Sequence, residues 1–151
     1  MLPLGTIALG KRKTNFTADE QHTLVTLWSI ARSPLIMGGD LTKLDGFTLS
    51  LLTNDDVLAA DQTGRNAHQV FNRDGLIAWA SDVLDAPDKF VALFNTTDGT
   101  ADVSVKPGEL GLAGSIKIRD LWAQKNLGDF SGNYTATLPP HGTGFYRLSP
   151  Q

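Results

Sequence analysis

Leu27-Trp28-Ser29-Ile30-Ala31-Arg32-Ser33-Pro34-Leu35-Ile36-Met37-Gly38-Gly39-Asp40 changes character twice within a few turns of chain. Before Pro34 the pattern is helical: Leu24, Leu27, Trp28 and Ala31 recur at i, i+3, i+4 and i+7, one apolar stripe on one face. Pro34 disfavours helical geometry in the residue before it, so the helix stops near Arg32-Ser33. Upstream, Thr17 and Glu20 have capping-box spacing and mark its start. After Pro34, Leu35-Ile36-Met37 is continuously apolar and ends in Gly38-Gly39-Asp40, as in a strand buried on both faces of a parallel sheet. Leu44 to Leu52 follows, with Leu44, Phe47 and Leu51 on one face. A further short helix, capped by Thr53 and Asp56, carries Val57, Leu58 and Ala59 and ends before Gly64. Helix, buried strand, helix is the signature of a βα architecture.

Around Thr63-Gly64-Arg65-Asn66 the period becomes two. Leu76–Ala80, Phe90–Phe94, Val103–Val105, Ile116–Ile118, Tyr134–Leu138 and Phe145–Leu148 read as short strands. Asp74-Gly75, Asp98-Gly99, Pro107-Gly108, Asp129 to Gly132 and Pro139-Pro140-His141-Gly142 are the turns between them. About seven strands so spaced predict an antiparallel β-sandwich. Two units are therefore expected, residues 1–65 of βα type and residues 66–151 all-β. The first has too few strands for a closed α/β barrel, which takes about 250 residues.

Composition bounds the function. With 41% apolar and 19% charged residues the chain is globular, and its net charge of −3 draws it to neither nucleic acid nor an anionic membrane. No apolar run reaches the roughly 20 residues that span a bilayer. The absence of cysteine removes disulfides, thiolate metal sites and thiol nucleophiles. Met1 to Gly10 is apolar and precedes Lys11-Arg12-Lys13, the reverse of a secretory signal.

Few residues carry chemistry. His22, His68 and His141 share no ligand spacing, so no metal site is read. Asp40 follows the buried strand at the end where barrel active sites are built. It reads either as a catalytic carboxylate or as a cap or Lys43 partner. Asp55 and Asp56 read as a first-turn charge bias, and Asp82, Asp85 and Asp88 as solvated loop residues. Trp79, Trp122, Tyr134 and Phe145 read either as core or as a sugar-stacking platform. Glycosylation sequons stand at Asn15, Asn95 and Asn133.

Several stretches resemble, in order, the end of the catalytic barrel of glycoside hydrolase family 27, the α-galactosidases and α-N-acetylgalactosaminidases. They are Met1-Leu2-Pro3-Leu4-Gly5, Phe16 to Gln21, Leu27 to Leu41 and Leu51 to Ala59. Arg119-Asp120-Leu121-Trp122 and Leu138-Pro139-Pro140-His141-Gly142 resemble landmarks of that family's C-terminal domain. The resemblance implies the last βα portion of a (β/α)8 TIM barrel followed by a C-terminal antiparallel β-sandwich. It also implies a retaining exo-glycosidase of terminal α-galactosides whose two catalytic aspartates lie upstream of these residues, with no catalytic residue in the chain and no cofactor. Met1 matches the methionine of the family's Trp-Asn-Asp-Pro-Asp-Met-Leu motif, which lines the sugar pocket, and is the one substrate-binding position carried over. On this reading Met1 is an internal methionine with in-frame coding sequence before it, the intact enzyme is exported, and an open barrel edge promotes self-association. A galactose-binding sandwich module and a purely structural β domain are the alternatives. Galactose, N-acetylgalactosamine and arabinopyranose remain open as the sugar.

Overall fold

A computed structural model describes residues 1–151. Its first helix, α1 (Ala18–Ile30), starts at the expected capping box: the Glu20 N–H donates to Thr17 Oγ1 at 3.2 Å, and the Glu20 carboxylate accepts the Thr17 N–H at 2.7 Å. It ends at Ala31, after which Arg32 turns left-handed and the Ser33 N–H donates back to the Trp28 carbonyl at 2.8 Å.

The face that α1 buries differs from the apolar stripe. Gln21, Val25, Thr26, Ser29 and Ile30 are buried, whereas Leu24 and Trp28 are half-buried and Leu27 and Ala31 are exposed. Polar residues tolerate that face because most are hydrogen-bonded there. Gln21 accepts from the Gly5 N–H and donates to the Phe16 and Thr17 carbonyls, and Thr26 accepts from the Trp122 indole at 2.9 Å.

Leu35-Ile36-Met37 is likewise less than a buried strand. It makes one parallel bridge, Leu2 to Met37, through Leu2 N–H to Ile36 at 2.7 Å and Gly38 N–H to Leu2 at 2.8 Å. Leu2 and Leu4 are fully buried, but Ile36 is 57% exposed because only one side of its segment carries a neighbouring chain.

Two short strands, β1 (Thr6–Ile7) and β2 (Arg12–Lys13), pair as a ribbon after the Leu2 segment. Beyond Asp40 come a 3-10 turn (Leu41–Lys43), α2 (Gly46–Leu52) and α3 (Asp55–Thr63). The cap of α3 is Asn54, one residue after the expected Thr53; Thr53 instead closes α2, its hydroxyl donating to the Leu49 carbonyl. Asn54 Oδ1 accepts from the Val57 N–H, and its Nδ2 donates to the carbonyls of Leu121 at 3.0 Å and Trp122 at 3.3 Å.

Helix α3 runs directly into β3 (Gly64–Arg73), and a Cβ on Gly64 would lie 2.7 Å from the Ala60 carbonyl oxygen. The remaining strands are β4 (Leu76–Val83), β5 (Lys89–Asn95), β6 (Ala101–Val105), β7 (Ile116–Asp120), β8 (Lys125–Phe130), β9 (Tyr134–Leu138) and β10 (Thr143–Pro150). Six form one antiparallel sheet in the order β3-β4-β5-β10-β7-β8, and β6 pairs with β9 in a second. The β-sandwich is thus present.

The main sheet is covered on both sides. One face, with Ala78, Val91, Leu93, Ile118 and Leu148, packs on Val103, Val105, Ala136 and Leu138 of the second sheet. The other, with Phe90, Ala92, Phe94 and Phe145, packs on Leu4, Val25, Leu51 and Val57 beneath the helices. Hence every residue from Phe90 to Asn95 is buried, the uninterrupted apolar signature of a two-sided strand.

Tyr146 lies in the first core, 5% exposed, with the Tyr134 ring edge-on at 4.9 Å. Burial, reinforced by the Tyr134 hydroxyl, raises its phenol far above the ordinary range, so the folded state holds a proton that the unfolded chain releases above about pH 10. Stability is therefore full below that pH and falls as pH rises past it. Denaturant titrations between pH 8 and 11 should show this loss, and Tyr146→Phe should flatten it. An equally steep decline in the variant would move the cause elsewhere.

Candidate functional site

The Leu2–Met37 bridge sets the local geometry of the only position transferred from the sequence. Met1 is 83% exposed and lies beside Gly38, where an added Cβ would come within 3.1 Å of the Met1 Cβ. At Gly39 it would come within 2.4 Å of the Leu4 carbonyl oxygen. These glycines let Gly38-Gly39 pass against the Leu2–Thr6 backbone, where the Asp40 N–H donates to the Thr6 carbonyl at 2.7 Å. Leu9, Gly38, Gly39, Asp40 and Leu41 line an open depression of about 440 Å³ at this edge. Leu9 and Leu41 of its lining are exposed, as are Met1 and Ile36 on the neighbouring Leu2 and Met37 segments.

Asp40 caps the 3-10 turn. Its Oδ1 accepts the Thr42 hydroxyl at 2.6 Å and the Thr42 N–H at 3.0 Å, bonds that hold its carboxyl below the ordinary range. An ionised, exposed carboxylate occupied in this way supplies no acidic proton. Retaining glycosidases also need two carboxyls about 5 Å apart. No surface depression of the molecule is lined by two carboxylates.

Several other acids are partnered. Asp56 pairs with Arg119 Nε at 2.8 Å, tying α3 to β7. Two acids expected to be solvated loop residues are instead ion-paired, Asp82 while still 37% exposed and Asp88 at 12%. Asp82 binds Lys89 and Asn66, which lower its carboxyl, and Asp88 accepts from Arg147 Nε and Ser149 Oγ, both at 2.6 Å. Strand β4 continues through Asp82 and strand β10 reaches Ser149, beyond the lengths read from alternation, and that brings these partners into place. Asp85 sits at a left-handed turn position, exposed.

The aromatic residues do not form a platform. Trp79, Trp122 and Phe145 belong to the helix-facing core, while Tyr134 packs on Tyr146 and Phe130 across the main sheet. His22 is held edge-on between Phe47 and Trp122, with Nδ1 3.0 Å from the Ala18 carbonyl, and burial lowers its pKa. His141 contacts Asp98 at 3.1 Å, and His68 its neighbour Asn66. No three His, Asp or Glu side chains converge. Among the sequons, Asn15 and Asn133 are exposed. Asn95 is 1% exposed, its amide spent on the Gly99, Leu138 and Pro139 carbonyls, so the folded chain offers it to no glycan.

Sequence reasoning missed a cleft of Asp88, Lys117, Arg119, Asn126, Arg147 and Ser149. Its signal was the alternation Ile116-Lys117-Ile118-Arg119, which places both cations on one face.

Residues 73–148 match the alpha galactosidase C-terminal beta sandwich domain. Over 139 residues the chain is 31% identical to the α-galactosidase of Coffea arabica, covering 89% of this chain and 36% of that protein. The structure superposes with a TM-score of 0.96 on a glycoside hydrolase family 27 β-L-arabinopyranosidase from Geobacillus stearothermophilus, solved in complex with arabinose. Identity there is 42%, across 100% of this chain and 36% of that one. For α-galactosidase I from Mortierella vinacea the TM-score is 0.86 at 25% identity, across 95% of this chain and 38% of that one. The chain thus spans about a third of the length of these relatives. No helix is long and apolar enough to cross a membrane.

Proposed function

The chain belongs to glycoside hydrolase family 27 and carries the α-galactosidase C-terminal β-sandwich, and from that membership we propose that it serves as the C-terminal portion of a retaining exo-glycosidase of terminal α-D-galactosides. In this reading residues 1–65 are the last unit of the catalytic barrel and residues 66–151 the sandwich that braces it. The observation that carries it is the pairing of a two-sided sheet with an acid-poor edge. One face of the main sheet is given over to packing on α1 and α3, while the Met1–Asp40 edge holds a single, capped carboxylate. Such a piece supports and lines a pocket, and cleavage needs two further aspartates. Met1, exposed beside Gly38, supplies an apolar contact to the sugar.

A second reading keeps this role with a β-L-arabinopyranoside as substrate. It is favoured by the 42% identity to the Geobacillus enzyme, against 31% to the coffee α-galactosidase. L-arabinopyranose has the ring of galactose without its hydroxymethyl group, so both sugars suit one pocket.

The test is hydrolysis of chromogenic α-galactoside and β-L-arabinopyranoside by the purified chain, with circular dichroism reporting that it is folded. No turnover of either is expected. Turnover would place the catalytic carboxylates within these residues, Asp40 first. Adding a family 27 barrel that lacks its last unit and sandwich should restore hydrolysis, and the faster substrate decides between the readings.

The exposed apolar side chains of Met1, Leu9, Ile36 and Leu41 should also drive self-association of the isolated chain. Sedimentation velocity should show a mass that rises with concentration between about 10 and 200 μM. A monomer throughout would overturn this.

A further inference from the structure

Strand register builds the cleft on β7, β8 and β10. Arg147 stands opposite Arg119 and Ser149 opposite Lys117, so three cations and a hydroxyl form one patch on the side of the sheet away from Ile116, Ile118 and Leu148. Asn126 of β8, opposite Arg119, extends it. Like charges directly opposed across strands cost stability. Asp56 holds Arg119 Nε, Asp88, whose side chain is 12% exposed, holds Arg147 Nε, and Asp129 of β8 stands opposite Lys117 without reaching ion-pair distance. Both ion pairs engage the Nε edge. The terminal nitrogens of Arg147 make no hydrogen bond, those of Arg119 make only a 3.4 Å contact with Asn126, and Lys117 has no ion-pair partner. The Asp88 bridge from Arg147 Nε to Ser149 Oγ fixes the guanidinium with its free edge turned outward. The cleft measures about 210 Å³ and has no apolar lining residue, which matches a single charged group and not a stacked neutral sugar.

We propose that this cleft binds a small oxyanion, either the carboxylate of an acidic monosaccharide or a free inorganic anion, between Lys117 and the terminal nitrogens of Arg147 and Arg119. It lies apart from the Met1–Asp40 edge and requires no glycosidase activity. The carboxylate accepts from the guanidinium fork and from the Lys117 ammonium.

Calorimetric titration of the purified chain with galacturonate, galactose and sulfate at low ionic strength tests it. Saturable binding of galacturonate but not galactose is expected, weakened by added salt. Lys117→Gln, a change at an exposed side chain that makes no hydrogen bond, should weaken it about tenfold or more. Arg147→Lys should weaken it similarly if it folds, since it removes the fork. Competition between sulfate and galacturonate supports the site, and the tighter of the two identifies the source of the anion. Equal binding of galactose and galacturonate, no saturation with either anion, or an unchanged Lys117→Gln variant would each overturn it.

Discussion

Phe145→Ala should lower the unfolding free energy by about 3–5 kcal/mol, enough to leave the chain largely unfolded at 37 °C if its stability is near the low end of the ordinary 5–15 kcal/mol. Phe145 is 0% exposed on β10, its Cα opposite Ala92, in the core that joins the main sheet to Val25 and Val57. Two regular layers meet at this ring, so neither collapses easily into the cavity that truncation leaves. Urea denaturation followed by tryptophan fluorescence reads the effect as a lower midpoint at constant slope. A loss below about 1 kcal/mol would mean that helices and sheet are not docked at this ring.

Asn54→Leu should cost about 2–4 kcal/mol for a different reason. The side chain, 9% exposed, does two jobs: its oxygen caps α3, and its nitrogen satisfies the Leu121 and Trp122 carbonyls of the sandwich. Losing a cap costs about 1 kcal/mol, and a buried carbonyl left without a donor costs about 1–3 kcal/mol. Asn54→Ser keeps an acceptor for the Val57 N–H but no donor that reaches the Leu121 and Trp122 carbonyls, so it should recover roughly the cap's share. Full recovery by serine would show that the sandwich tether contributes nothing.

Those two residues mark where the sequence was legible and where it was not. Local chemistry carried far: the Thr17–Glu20 box, the stop before Pro34 and the strands at Leu76, Phe90, Val103, Ile116, Tyr134 and Phe145 all follow from neighbours a few residues apart. What failed was set by distant partners. The buried face of α1 departs from its apolar stripe because Thr26 and Gln21 look polar until Trp122 and Gly5 arrive to bond them. Strand β8 was unread because Lys125 to Asp129 are exposed at a sheet edge and show no alternation. Strand β3, the opposite edge, registered only as a change of period for the same reason. Thr53 and Asn54 are both competent caps, and the choice fell to the residue whose nitrogen also reaches Leu121. At the site, Asp40 reads from its neighbours as a cap or Lys43 partner ahead of a catalytic carboxylate, and its bonds to Thr42 decide for the cap. Asp82 and Asp88 were invisible because Lys89, Arg147 and Ser149 reach them only once β5 and β10 pair.

Between Thr63 and Gly64 the chain has no slack: helix becomes strand from one residue to the next, with Gly64 pressed on the Ala60 carbonyl and Leu84 N–H bonded to the Thr63 carbonyl. A hinge needs a few residues free to change their backbone angles, and this junction has none. The helical layer and the sandwich therefore tumble in solution as one body with one rotational correlation time. Grafting a foreign sandwich after Thr63 would transmit any error in its starting angle, undamped, to the Met1–Asp40 edge.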